Sequence, residues 1–394
     1  MITERFYPED FGINDLALEW KKRGSDLSVL SQAPSYPHGD VYSGYKNRLF
    51  QKTVWRGIPV FRVFSLMGYQ KNVVLKILNY LCFALLASIV AIFLARKFDK
   101  IFVYQVGPLT QGIPGVLLKK IFKKKLIIWT LDIWPDSVFA YGFKENAFVR
   151  TLLEIFVRIV YKNCDLVFVS CKGFVNRIQN YAPEVKVVYF PQWVPDELKF
   201  EGNNQGKALS GSFNFTFAGN IGKVQNLENI IEGFKPISDT YQNVCLNFIG
   251  DGSYLSNLKR LTEEKKVSNV SFWGRKPIQE MPEWFAASDV LVISLIDKPI
   301  FSITVPAKFQ AYLAAGKPIF CVMNGEVADL VIDHHIGLVA HPDDLDDIRS
   351  GYERFLSMPG EELDSMTVNM KHLLDAEFDR ETLIQEKTEL LMQI

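Results

Sequence analysis

Apolar and polar positions along the chain fall into short runs with two alternating periods. Runs rich in β-branched and aromatic residues recur at Asp26–Ser31, Val60–Phe64, Ile101–Val106, Leu126–Leu131 and Leu166–Ser170, with amphipathic stretches such as Asn14–Arg23 and Phe148–Lys162 between them. Strand-like runs alternating with helical ones predict a parallel, doubly wound sheet. Phe190–Leu198 carries two prolines and ends the series, and the polar segment Glu201–Ser212 reads as a linker. The pattern then restarts, with strands at Phe213–Ala218, Val244–Ile249, Val270–Trp273, Val290–Leu295, Ile319–Val322 and Leu338–Ala340, and a helix from Leu227 to Phe234. A charged helix, roughly Glu381–Gln393, closes the chain. The expected organisation is a first domain over 1–198, a second over 199–370 and a helical tail over 371–394 that can pack back on the first. Two such halves facing each other place a ligand cleft at the carboxyl ends of two sheets.

One run breaks the alternation. Ile77–Ala95 holds nineteen residues without a charge, preceded by Lys71 and Lys76 and followed by Arg96 and Lys97. It reads either as a spanning helix or as a helix buried on one face and touching lipid on the other. The flanking strand-like runs belong to one sheet, and Asn79, Tyr80 and Ser88 are polar, so the second reading is favoured. Leu117–Leu126 packs five lysines around Leu117, Leu118, Ile121 and Phe122, an amphipathic basic face suited to anionic headgroups. Together the two segments predict a peripheral membrane protein. The first twelve residues, with Glu4, Arg5, Glu9 and Asp10, are no signal peptide.

Composition narrows the class. The 394 residues carry 44 Lys plus Arg and 44 Asp plus Glu, without the basic excess of a nucleic-acid binder. Hydrophobic residues at 48% are ample for two cores. The five cysteines have neither zinc nor CxxC spacing, and the five histidines form no ligand pattern, so no metal site is expected. Walker A, GxGxxG, HExxH and GxSxG motifs are all absent.

The chemistry that remains is anion binding at strand ends. Gly219, Asn220, Gly222 and Lys223 lie on a turn between a strand and a helix, where glycines allow close approach and a helix start offers N–H groups. Such turns are equally often structural. Gly250-Asp-Gly252 is a tight turn after the next strand. Gly274-Arg-Lys-Pro277 places Arg275 and Lys276 past another, and Lys308 opens a helix against its dipole. These cations are expected at four strand ends on one rim. In the first half, Asp132 lies just past a strand, and Asp136 or Ser137 reads as a helix N-cap.

The ordered segments FYPEDFGIN, LDIWPDS, FAGNIGKVQNLENII, FIGDG, VSFWGRKP and VPAKFQAYLAAGKPI resemble glycosyltransferase family 4, of GT-B fold. With YPHGDVYSGYKN and GIPVFRV, the resemblance is nearest to the branch containing N-acetyl-L-fucosamine transferases of bacterial O-antigen and capsule clusters, and it covers nearly the whole chain. It implies α/β architecture with two Rossmann-like domains, a nucleotide-sugar donor on the second and an acceptor on the first. It also implies retention of configuration without a metal or other cofactor. Gly219, Asn220, Gly222 and Lys223 would line the diphosphate; Gly274, Arg275, Lys276 and Pro277 would lie near the base and diphosphate; Gly12 would face the sugar; Asp132 would sit near the reacting centre. The family's glutamate pair falls here on Ile303 and Ala311, and its Arg and Lys on Asn220 and Gln225. Lys308 and Glu326 are the candidate replacements, with Lys308, Arg275 and Asp132 the expected catalytic groups.

The resulting expectation is a retaining enzyme at the cytoplasmic face of the inner membrane. It would move a sugar, N-acetylated or deoxy, from a UDP-linked donor to a polyprenyl-diphosphate-linked saccharide of a surface polysaccharide. A sugar-nucleotide epimerase of the same fold and a catalytically silent sugar-nucleotide-binding subunit are the alternatives.

Overall fold

A computed structural model describes residues 1–36, 39–69, 72–140, 143–198 and 209–394. Lys71, His38 and the first eight residues of the expected linker lie outside these. The chain divides into two compact units, Met1–Pro191 with Glu381–Ile394, and Gln192–Arg380. The break falls before residue 198 because the turn Asp196–Leu198 packs on elements of the second unit.

The first unit runs α1 (Gly12–Lys22), β1 (Val29–Gln32), β2 (Phe50–Trp55), β3 (Ile58–Val63), α2 (Val73–Leu94), β4 (Lys100–Gln105), α3 (Ile113–Phe122), β5 (Lys125–Thr130), α4 (Asp136–Ala140), α5 (Ala147–Lys162), β6 (Leu166–Val169), α6 (Phe174–Tyr181) and β7 (Lys186–Tyr189). β4-β5-β6-β7 are parallel neighbours, and β1-β3-β2 form a second ribbon in which β2 is antiparallel. Ile2 joins the two. Its N–H donates to Phe102 O at 2.8 Å, its carbonyl accepts from Tyr104 N at 3.0 Å, and Thr3 N donates to Leu30 O at 3.0 Å. The segment before the FYPE loop is therefore a short bridge at the sheet's centre. β2 escaped the pattern because it is a half-exposed edge strand with polar Gln51, Lys52 and Thr53. It turns into β3 through Arg56 and Gly57, both at positive φ.

α2 belongs to this unit. Asn72 caps it by accepting from Val74 N at 2.7 Å. Its inner face, Asn79, Phe83, Ala84, Ala87, Ser88 and Ala91, is mostly small, so the helix sits close to the sheet. Buried Asn79 accepts from Ser65 Oγ and Leu66 N and donates to Gln32 Oε1, bonds that would be lost if the helix left the unit. The outer face exposes Leu78, Leu81, Leu85, Ile89 and Phe93. By length and composition Val73–Lys97 could cross a membrane. A second apolar stripe, Phe148, Leu152, Ile155 and Ile159, lies exposed on α5 at helical spacing. The lysine-rich end of α3 is only partly free: Lys119 and Lys125 both pair with Asp165, at 2.5 and 3.5 Å.

The second unit runs β8 (Phe213–Ala218), α7 (Leu227–Thr240), β9 (Val244–Ile249), α8 (Leu255–Glu264), β10 (Val270–Gly274), α9 (Met281–Ala286), β11 (Val290–Ser294), α10 (Pro299–Ser302), α11 (Lys308–Ala315), β12 (Ile319–Val322), α12 (Glu326–Asp333), β13 (Gly337–Val339), α13 (Leu345–Ser357) and α14 (Gly360–Glu377). Its sheet is parallel, in the order β10-β9-β8-β11-β12-β13. Tyr352 on α13 meets Phe215, Phe234 and Phe320 edge-on, with centroids 4.7, 5.3 and 5.0 Å away. Each such pair adds about 1 kcal/mol beyond area burial.

α15 (Arg380–Met392) returns to the first unit. Thr388 Oγ1 accepts from Trp20 Nε1 at 2.9 Å, Glu381 pairs with Arg23 at 3.3 Å, and Lys100 Nζ caps the carbonyl of Leu391 at 2.6 Å.

Candidate active site

In the second unit the carboxyl ends of β8, β9 and β10 are stitched turn to turn. Gly219 N donates to Ile249 O, Ile221 N to Asp251 O, and Gly250 N to Gly274 O, at 2.8, 2.9 and 2.9 Å. The contact is so close that a Cβ on Gly250 would lie 1.8 Å from Gly219 O, and one on Gly252 would lie 2.2 Å from Ile221 O. The GDG turn is thus a structural support for the GNIGK turn above it.

Lys308 closes on this support. Tyr312, one turn further along α11, accepts from Ala218 N at 2.9 Å and locks the helix to the end of β8. Residues four apart share a helix face, so Lys308 also faces β8. Its ammonium lies 4.2 Å from the Phe217 ring centroid and donates to Gln225 Oε1. A side chain on Gly219, at φ +136°, would strike Lys308 Cε at 2.6 Å. Burial pulls the amine down to about 7. Gln225 is thus met by a lysine that comes from α11.

Lys223 stands on a short turn, Lys223–Gln225, and Asn226 at φ +53° separates it from α7. Asn226 Nδ2 donates to Pro342 O at 2.7 Å. Asn220 is exposed, and its amide lies where a Cβ on Gly222 would come within 2.9 Å. Arg275 is exposed at the end of β10, Lys276 lies 5.1 Å from the Trp284 ring centroid, and Pro277 leads into the turn Ile278–Glu280. The four cations therefore come from three places, not four strand ends: Arg275 and Lys276 follow β10, Lys223 follows β8, and Lys308 opens α11. Glu326 starts α12, where Gly325 packs on the backbone of Ser302 so tightly that a Cβ would fall 1.9 Å from its oxygen.

The carboxyl edge of the first unit is built from acids. Asp132 follows β5; its Oδ2 accepts from Gly107 N at 2.7 Å, and burial pushes its carboxyl up to about 6. Gly12 opens α1 with its Cβ position 3.8 Å from Tyr104 Oη, and Tyr104 in turn feels the Asp132 charge. Asp136 is no cap. It is the first residue of α4, and its carboxylate receives Arg177 at 2.8 and 2.6 Å and Arg150 at 3.2 Å, tying α4 to α5 and α6.

Sequence reasoning missed the rest of this edge. Glu4 and Glu9 are fully buried, and Arg5 nearly so. Glu9 accepts from Ser35 N and Tyr36 N at 2.8 and 2.7 Å and pairs with Arg5 at 3.5 Å. Arg5 lies over the rings of Tyr36 and Tyr69. Both carboxyl oxygens of Glu4 lack a protein hydrogen bond. Burial pushes Glu4 up to about 8, against the opposing pull of Arg5 and Lys76. Tyr80 feels Glu4, Arg5 and Asp132 together, so α2 contributes to this cluster through its first two turns. Three acids beside an arginine before a glycine was the available signal.

Among the described residues no group of three His, Cys, Asp or Glu side chains gathers as a metal site.

Comparison with known proteins supports a class. Residues 201–372 match the family described as Glycosyl transferases group 1. Among curated proteins the chain is similar to the probable glycosyltransferase WbjE of Pseudomonas aeruginosa, 24% identical over 58% of this chain and 59% of that one. The chain thus spans about three-fifths of that relative's length. It is also similar to the putative colanic acid biosynthesis glycosyl transferase WcaI of Escherichia coli K12, 23% identical over 79% of each. Among solved structures it superposes on Anabaena HepE in complex with UDP and glucose at TM-score 0.69, with 14% identity over 100% of this chain and 99% of that one. The sucrose-phosphate synthase of Thermosynechococcus elongatus gives TM-score 0.74, with 13% identity over 97% and 92%. The fold is GT-B, with two Rossmann-like units, and the family match with these relatives supports a glycosyltransferase of that fold.

Proposed function

We propose that the chain transfers a sugar, with retention, from a nucleotide diphosphate donor to a polyprenyl-diphosphate-linked saccharide of a surface polysaccharide. UDP is the proposed nucleotide, and the branch of N-acetyl-L-fucosamine transferases in family 4 the proposed kinship. Lys308 carries the reading. A buried amine packed on Phe217, with a neutral amide as its hydrogen-bond partner, sits beside the glycine turn that follows β8. An incoming diphosphate supplies the missing counter-charge.

In this reading Lys308, Lys223, Arg275 and Lys276 stabilise negative charge as it builds on the leaving diphosphate, without a cofactor. Asn220, Gly219 and Gly222 let the phosphates approach the backbone, and Glu326 meets the donor sugar or ribose. The leaving phosphate assists deprotonation of the acceptor hydroxyl, while Gly12 and Asp132 face the transferred sugar. An acid held near 6 by burial keeps part of its proton at neutral pH, and so can donate as well as accept a hydrogen bond.

The membrane part of the proposal rests on the outer faces of α2 and α5. α2 packs on α3, and α5 touches the turn that leads into α3, so the apolar faces belong to one helix layer. Lys120, Lys123 and Lys124 remain for anionic headgroups beside Arg96 and Lys97. The protein would lie at the cytoplasmic face of the inner membrane, with α2 in the interface rather than across it. The test is a thermal-shift screen of UDP- and GDP-sugars followed by transfer to a polyprenyl-diphosphate saccharide in EDTA. Stabilisation by a UDP-sugar and metal-free product formation are expected; donor binding without product would favour the silent subunit.

A further inference from the structure

The first unit contains a half-open pocket of about 220 Å³ away from the Asp132 edge. Its wall includes Trp20 of α1, Ala91 and Leu94 of α2, Phe102 of β4, Leu118 of α3 and Leu391 of α15. At roughly 30 Å³ per water-sized group the pocket has room for about seven.

Its lining is mainly apolar, with Ser25, Asp26 and Ser28 at one side. Three of its polar groups are engaged: the Met1 amine donates to Ser28 O at 2.7 Å, Lys100 to Leu391 O at 2.6 Å, and Trp20 to Thr388 at 2.9 Å. A mainly apolar wall favours an apolar occupant over water. Two further features select the kind of molecule. The α2 turns that line the cavity also expose Ile89, Ile92 and Phe93 outward, so the wall is continuous with the lipid-facing surface. Arg96 and Lys97 follow those turns directly and are exposed.

We propose that this cavity takes the end of a hydrocarbon chain from an anionic membrane lipid, with Arg96 and Lys97 at its headgroup. The inference rests on the membrane-lying α2 of the reading above, and is independent of the transfer chemistry. It also gives α15 a role, since Leu391 closes the wall from the far end of the sequence.

The test uses the full chain and dodecyl phosphate below its micelle concentration, by calorimetry. Saturable binding of one molecule per chain is expected. The cavity-filling variants Ala91→Leu and Leu391→Phe should each weaken it at least tenfold. The double variant Arg96→Gln/Lys97→Gln should weaken it several-fold, as dodecanol should relative to dodecyl phosphate. In parallel, vesicles of dibrominated phosphatidylglycerol should quench the Trp20 share of fluorescence, read as the difference between wild type and Trp20→Phe. No saturable binding, or binding undiminished in both folded filling variants, would overturn the inference. Vesicle binding without Trp20 quenching removes the cavity's occupant and leaves the membrane reading intact. Dodecyl phosphate binding without vesicle binding does the reverse.

Discussion

The carboxyl edges of the two units are made of opposite materials. In the second, backbone turns touch through glycines and cations crown them, with Lys308 pulled down to about 7. In the first, the groups are acids, with Glu4 pushed up to about 8 and Asp132 to about 6. Burial is the first cause in all three, and it moves acids up and bases down. Each edge is therefore held nearer neutrality than solvent would hold it. In the proposed function the second edge regains its charge from an anionic ligand, whereas the first stays protonated and exchanges hydrogen bonds with a hydroxyl-rich one.

The largest effect should come from breaking the glycine stitching. Gly250→Ala puts a Cβ 1.8 Å from Gly219 O at a φ of +149°. It should destabilise the protein by about 3 kcal/mol or more, read as a lowered urea midpoint. An equivalent alanine at Gly44, which meets nothing within 4 Å, should show only backbone strain. If the two variants unfold alike, the close packing of the turns is not what holds the second edge.

Removing the cation comes next. Lys308→Ala should fold and lose roughly 3 kcal/mol of transition-state stabilisation, about a hundredfold in turnover. Near-normal transfer with normal nucleotide affinity would make Lys308 a structural lysine.

On the first edge the acid can be titrated. Folded Glu4 holds its proton to about 8, against 4.5 for the free side chain. Between those values the folded state binds more protons than the unfolded one, so stability falls as pH rises through this window. The loss is on the order of 4 to 5 kcal/mol by the upper end. Glu4→Gln should flatten that decline in melting temperature. An unchanged slope would place the titration elsewhere.

The two edges also differed in how far the sequence revealed them. The second is written in local strings: GNIGK, GDG and GRKP each follow their own strand, so the pattern of runs placed the turns. The pairing of Lys308 with Gln225, 83 positions apart, depends on Tyr312 fixing α11 and carries no local signal. The first edge gathers Glu4, Tyr69, Lys76 and Asp132 from four separated segments, and only Asp132 was legible, as a polar residue past an apolar strand. Asp136 misled because a carboxylate beside a helix start suits a cap and an ion pair equally. The strands of both units were legible except β2 and β7, which are edge strands with half-exposed faces.

The smallest effect concerns the helix layer of the first unit. Gln substitutions at Lys120, Lys123 and Lys124 should weaken binding to anionic vesicles by about 1 kcal/mol per lysine. Lys119 and Lys125, held by Asp165, should contribute less. Equal losses from all five would mean that the Asp165 pairs do not withhold charge from the surface.

In the proposed function a nucleotide diphosphate completes the charge of Lys308, and calorimetric binding of UDP in EDTA across about pH 6 to 9 tests this. Because the free amine titrates near 7 and a bound diphosphate raises that value, affinity should be full below about pH 7 and fall as pH rises above it. In Lys308→Met the affinity should be weaker at low pH and the Lys308-linked fall above about pH 7 should disappear. Absence of UDP binding, or the same pH profile in wild type and Lys308→Met, would contradict the account.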